Sequence, residues 1–105
     1  MHWYDAQRFC RLKYTDLATV HNMFGKDLLV KTVGGDATYC WIGLQKGSAD
    51  TWVWSDGRGR TLYTKWDEGE PNNAVDERCV QIVESGAWND APCEGDSGVA
   101  CYERE

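Results

Sequence analysis

At 105 residues the chain has room for one hydrophobic core and little for a second domain or a cofactor-binding fold. Its 42% hydrophobic and 27% charged residues are the proportions of a folded globular domain, and six Trp suit a small domain that must fill a thin core or line a binding surface. A net charge of −6, with Lys and Arg scattered singly, argues against a nucleic-acid partner, and no apolar run approaches the roughly 18 residues of a membrane-inserting helix.

Trp3, Ala6, Phe9, Cys10 and Leu12 recur with helical spacing, which predicts an amphipathic helix over 3–13. Tyr14-Thr15-Asp16 breaks the pattern, and residues 17–20 read as a short extended or turning stretch. A second helix is predicted from Asn22, its N-cap, with Phe24, Leu28, Leu29 and Val33 on one face until Gly34-Gly35 stops it. The texture then turns to strands. Residues 38–44 are β-branched and aromatic, 51–54 alternate, Ser55-Asp56-Gly57 makes a turn, and 61–66 return. A long loop over 67–77 precedes short strands at 79–83, 86–88 and 99–102. Two helices followed by about five strands predict an α+β domain.

Cys10, Cys40, Cys79, Cys93 and Cys101 form no CxxC pair, and His2 and His21 lie far from the later cysteines, so a disulfide framework with one thiol left over fits better than a structural zinc site. That framework places the protein in an oxidising, extracellular compartment. Met1-His2-Trp3-Tyr4-Asp5 does not read as a signal peptide, so the sequence is expected to be a mature protein or a recombinant fragment.

The residues that carry chemistry lie in and after the long loop. Asp67, Glu68, Glu70, Asp76 and Glu77 crowd together with no Lys or Arg among them. This composition suits a solvated acidic loop, or a cation site in which a metal offsets the repulsion. Glu70-Pro71-Asn72, Glu77 and Asn89-Asp90 together offer three carboxylates and two carboxamides, the hard oxygen donors that Ca²⁺ prefers.

At this point the sequence resembles the C-type lectin domain family. The resemblance rests on Trp3-Tyr-Asp-Ala-Gln-Arg-Phe-Cys10, Tyr14-Thr-Asp-Leu-Ala-Thr19, Cys40-Trp-Ile-Gly-Leu44, Trp52-Val-Trp-Ser-Asp-Gly57, Glu70-Pro-Asn72, Glu77-Arg-Cys79 and Trp88-Asn-Asp90, in the family's order along nearly the whole chain. The first helix and the Thr-Asp-Leu-Ala segment are similar to members from bony fish. The resemblance implies a lectin-like fold over 1–105, with two helices flanking small antiparallel sheets and a long calcium-binding loop. It also implies disulfides Cys10–Cys101 and Cys79–Cys93, and a cis peptide before Pro71. The second bridge would close a loop of about 15 residues, a contribution on the order of 3 kcal/mol.

By the same resemblance Glu70, Asn72, Glu77, Asn89 and Asp90 are the ligands of the principal calcium site, which also binds sugar. Glu-Pro-Asn is the version associated with mannose-, fucose- or glucose-type glycans on cell or microbial surfaces, in innate immune recognition or adhesion. Lys46, Asn73 and Arg78 stand where a second calcium would need acids, so one ion is expected. The chain lacks the family's first strand, which is expected to leave an edge open around residues 99–102 and to invite a homodimer there. Cys40 is expected to be a small buried hydrophobe, or else to bridge two copies.

Other readings weigh less. Trp41, Trp52, Trp54 and Trp66 are expected in the core, Trp88 as a packing anchor, and His21 exposed and silent. Gly95-Asp96-Ser97-Gly98 is similar to a protease nucleophile segment, but the chain is about half the length that fold needs. A glycosidase would need an acid with a raised pKa, and calcium would hold these carboxylates ionised, so no enzyme is expected. The alternative within the fold is a domain that binds protein or ice, with calcium in a structural role.

Overall fold

The computed structural model describes residues 1–19, 29–33, 39–47, 51–57, 59–61, 64, 66–71, 77–83 and 87–103, with 29–33 described by their backbone. Helix α1 spans Trp3–Lys13, and the helical period brings Trp3, Ala6 and Cys10 round to the buried side. Asp5 sits in its first turn and Arg11 and Lys13 in its last, the placement that complements the helix dipole. Tyr14 ends it in an extended conformation, with its N–H donating to the Cys10 carbonyl at 2.7 Å.

Among the described residues eight strands follow: β1 Asp16–Leu17, β2 Leu29–Val33, β3 Cys40–Lys46, β4 Trp52–Trp54, β5 Gly59–Arg60, β6 Cys79–Ile82, β7 Trp88–Ala91 and β8 Gly98–Glu103. Strand β8 lies among β1 and β2, both antiparallel to it, and β3, which is parallel. From β3 the sheet continues antiparallel to β4 and β5 on one route and to the β6–β7 hairpin on the other. Gly43 suits the close passage of β3 by β1, because a Cβ there would lie 3.2 Å from both the Leu17 and Ala18 carbonyl oxygens and would push them back by a few tenths of an ångström. Its N–H donates to the Ala18 carbonyl at 2.8 Å.

Two apolar clusters share this sheet. Trp3, Ala6, Leu17, Trp41 and Val99 gather around the bridges Cys10–Cys101 and Cys79–Cys93, the two pairings implied by the family resemblance. Ala18, Ile42, Leu44, Trp54, Val80, Trp88 and Ala100 form the second. A buried polar network ties the first cluster to the β4–β5 turn. Asp16 is 4% exposed and accepts from Arg11 Nε at 3.1 Å, Ser55 Oγ at 2.8 Å and the Leu17 N–H at 2.7 Å. Asp56 Oδ2 accepts from Thr19 Oγ1 and the Tyr102 hydroxyl, each at 3.0 Å.

Several expectations are corrected here. Leu29–Val33, assigned above to the end of a second helix, is a strand paired with Val99–Glu103, because long-range pairing outweighs a helical spacing of only a few apolar residues. The earlier part of that predicted helix, with His21, lies outside the described residues, and α1 is the one helix among those described. The return strand already includes Gly59–Arg60, ahead of the predicted 61–66, since Gly57 and Gly59, at φ 87° and 89°, turn the chain sooner; residues 62, 63 and 65 lie outside the described residues. Strand β7 runs on through Asn89 and Asp90 to Ala91 because it pairs with β6 along its length.

The edge expected to be open around 99–102 is closed. Val99 is flanked by Trp41 and Val33, Cys101 by Leu17 and Lys31, and Tyr102 by Asp16 and Val30. A dimer through that edge therefore loses its physical basis. Cys40 lies outside both bridges and is 3% exposed, too buried to reach a second copy. Trp41 and Trp54 are core residues as expected, whereas Trp52 and Trp66 are half-buried at its margin.

Candidate functional site

The acidic loop leaves the sheet after Trp66 and re-enters it at β6; its outgoing limb is fastened to β7, which carries Asn89 and Asp90, and its returning limb to the end of β3. On the outgoing limb Trp66 forms a parallel bridge with Trp88, the Asp67 N–H donates to the Trp88 carbonyl at 2.8 Å, and the Glu70 N–H donates to the Asp67 carbonyl at 2.9 Å. Asp67 also caps its own turn, its Oδ1 accepting the Glu68 N–H at 3.0 Å. Glu70 is half-buried, and the Glu70–Pro71 peptide is cis. This limb thus runs beside the start of β7, one residue before Asn89-Asp90.

On the returning limb Glu77 and Arg78 lead directly into β6. The Lys46 N–H donates to the Arg78 carbonyl at 2.8 Å, which fixes this limb to the end of β3. Glu77 is half-buried and its Oε1 is shielded from solvent. Within the hairpin Val80 faces Asp90 and Gln81 faces Asn89. Asp90 is wholly buried, while Asn89, one residue along the pleat, points to the other face and remains half-exposed. Asn89 Nδ2 donates to Gln81 Oε1 at 3.0 Å, which sets the amide's orientation and leaves one N–H and the carbonyl oxygen available.

Of the five candidate ligands, Glu70, Glu77, Asn89 and Asp90 are thus attached to one hairpin, and Asn72 lies outside the described residues. Among the described residues no three Asp, Glu, His or Cys side chains close up as a metal-binding group. The donor chemistry nevertheless fits calcium. Three carboxylates and an amide oxygen are hard ligands, and a shielded carboxylate oxygen on Glu77 and a buried carboxylate on Asp90 are groups that a cation stabilises.

Two supports were not foreseen from the sequence. Gln81 orients Asn89, and its only sequence signal was its place one residue after Val80 in an alternating strand. A Trp stack backs the site: Trp66 packs on Trp52 at 5.2 Å between centroids and edge-on against Trp88 at 5.6 Å, and Trp54 meets Trp88 edge-on at 5.9 Å. Ser97, in the segment similar to a protease nucleophile, donates instead to the Tyr39 carbonyl at 2.9 Å and closes the turn into β8.

Comparison with known proteins matches residues 1–103 to the model of the lectin C-type domain. L-selectin of Rattus norvegicus is 39% identical over 97% of this chain, and that stretch is 29% of the selectin's length. The chain therefore spans under a third of such a relative. The cow C-type carbohydrate-recognition domain of CD23, solved in the presence of a GlcNAc2Man3 oligosaccharide, superposes with a TM-score of 0.80 at 26% identity, covering 100% of this chain and 81% of that one. A Ca²⁺-dependent type II antifreeze protein in its Ca²⁺-free form gives 0.76 at 27% identity, covering 99% and 85%.

Proposed function

The chain belongs to the C-type lectin domain family, and from that premise we propose that residues 1–105 act as one carbohydrate-recognition domain that holds mannose-, fucose- or glucose-type sugars through a single Ca²⁺. Domains of this family depend on Ca²⁺, bind rather than transform their ligands, and lie outside the cell, so the protein is extracellular and is no enzyme. Among the described residues no helix is long and apolar enough to cross a membrane.

In this reading Glu70, Asn72, Glu77, Asn89 and Asp90 would hold the ion, whose contribution would be to bind a pair of vicinal sugar hydroxyls. Glu70 and Glu77 each accept a hydrogen bond from one hydroxyl, and Asn72 and Asn89 each donate an N–H to one. Gln81 accepts from the Asn89 amide and so leaves its second N–H for a sugar hydroxyl. Such a set suits an equatorial diol, as on O3 and O4 of mannose, and leaves the glycosidic bond untouched. Lys46 and Arg78, in place of further acids, favour one ion over two. A shallow site of this kind binds single sugars weakly, so avidity on cell or microbial surfaces comes from multivalent display, in adhesion or innate immune recognition.

The observation that carries this reading is the fastening of the Glu70 limb to Trp88, at the start of the strand that carries Asn89-Asp90, while the Glu77 limb leads into β6, the partner of that strand. Its test is retention on mannose-agarose in calcium. Release by chelator and by mannose, but not by galactose, is expected. A second reading, binding of ice or protein with calcium in a structural role, draws on the likeness to the antifreeze protein. Under it the domain would flow through the resin while calcium still raised its melting temperature.

A further inference from the structure

A hydroxyl and two amides stand in a row from the turn before β8 to the candidate ligand Asn89. The Ser97 hydroxyl donates to the Tyr39 carbonyl at 2.9 Å, Gln81 Nε2 donates to Ser97 Oγ at 3.4 Å, and Asn89 Nδ2 donates to Gln81 Oε1 at 3.0 Å. The far end of the row sets its direction. A main-chain carbonyl only accepts, so it takes the single proton of Ser97, and the hydroxyl has only lone pairs left for Gln81. Gln81 must then turn its amide nitrogen to Ser97 and its oxygen to Asn89, and Asn89 must meet that oxygen with its own nitrogen. The backbone holds all three in place. Gln81 is in register with Trp41 on β3 and Asn89 on β7, and the Ser97 N–H donates to the Met1 carbonyl at 3.2 Å.

We propose that Ser97 and Gln81 are positioning residues for the cation, because the row they form fixes which way round the Asn89 amide stands and so offers Oδ1 to the ion. The inference rests on the calcium reading above and deepens it. An Asn amide has nearly the same shape either way round, yet one orientation gives a cation an oxygen and the other sets an N–H against it. With Gln81 as its sole partner, Asn89 could make an equally good bond in both, since each amide carries a donor and an acceptor. Ser97 removes that degeneracy. With Nδ2 committed to β6, Oδ1 is left for the side of β7 away from β6, where Trp66 bridges Trp88 and the outgoing limb leads to Glu70. A Ser97 that merely closed the turn into β8 would act in the same way whatever residue stood at position 81.

The test is a double-mutant cycle of Ser97→Ala and Gln81→Glu, with each variant checked by its melting temperature. It is read by calorimetric titration of calcium and by the side-chain amide NMR shifts of Asn89 in chelator. Ser97→Ala alone is expected to weaken calcium binding at least about 2-fold, the loss when both amide orientations become equally populated. Made together with Gln81→Glu, it is expected to leave calcium affinity where Gln81→Glu alone sets it, because a carboxylate offers Asn89 only oxygens whatever Ser97 does. Comparison within each background cancels the added charge. The Asn89 amide shifts are expected to follow the same pattern, moving with Ser97→Ala only where Gln81 is kept. An equal effect of Ser97→Ala in both backgrounds, or none in either, would overturn the positioning role. Failure of the unaltered protein to bind calcium would instead overturn the calcium reading and the use of the row with it, and the amide shifts tell the two failures apart.

Discussion

Around Cys10–Cys101 the chain joins α1 to β8 across 91 residues of sequence, whereas Cys79–Cys93 closes only 14 residues inside the β6–β7 region. The first bridge lies on Trp3, Ala6, Leu17 and Val99, beside an Asp16 whose carboxylate is satisfied by three donors. Behind the hairpin stand Trp rings packed edge-on, and its outward face carries the polar Gln81 and Asn89, with Glu77 leading into it. One region spends its polar groups on itself and the other presents them. Stability and recognition should therefore be separable by substitution.

The largest expected effect breaks the first region. Replacing Cys10 and Cys101 by Ala should cost about 4–5 kcal/mol, against about 3 kcal/mol for Cys79 and Cys93, because the longer loop loses more closure entropy. Urea midpoints of the two double variants measure this, and a greater loss from the hairpin pair would reverse the ranking. Asp16→Ala should cost about 2 kcal/mol, since Ser55 and the Leu17 N–H would lose a buried acceptor. The same melts in calcium and chelator should show its calcium response intact.

Glu77→Gln should do the opposite. Its stability in chelator should change by less than about 1 kcal/mol, while the stabilisation of about 2.7 kcal/mol expected at calcium 100-fold above its dissociation constant should vanish. Acidification sharpens the contrast. Ligand carboxylates must be ionised, so calcium and sugar should leave together as pH falls toward roughly 4.5, in the carboxylate range, and return as it rises. Sugar retained in chelator at that pH would place binding elsewhere. The smallest effect concerns preference alone: Glu70→Gln with Asn72→Asp should exchange donors and acceptors and move the mannose-to-galactose ratio toward galactose, read by competitive elution.

How much of this was legible in the sequence follows the same division. Helix α1 was, because Trp3, Ala6 and Cys10 state the helical period within one short window. Strand β2 was not, since its partners at Val99–Glu103 lie some seventy residues away and a short apolar run fits either period. Asn89 and Asp90 are poor strand formers by composition, and only pairing with Gln81 and Val80 makes them a strand. The site's residue types could be read from Glu70, Glu77 and Asn89-Asp90. The bonds that aim them, from Gln81 to Asn89 and from Asp67 to Trp88, join residues too far apart for any local pattern.

The central claim, that sugar is read through calcium at the Glu70–Glu77 loop, is tested most directly by calorimetric titration of methyl mannoside into the protein with calcium, into the protein in chelator, and into Glu77→Gln with calcium. The account predicts saturable heat in the first titration and none in the other two. Equal heat in chelator, or binding that survives Glu77→Gln, would contradict it.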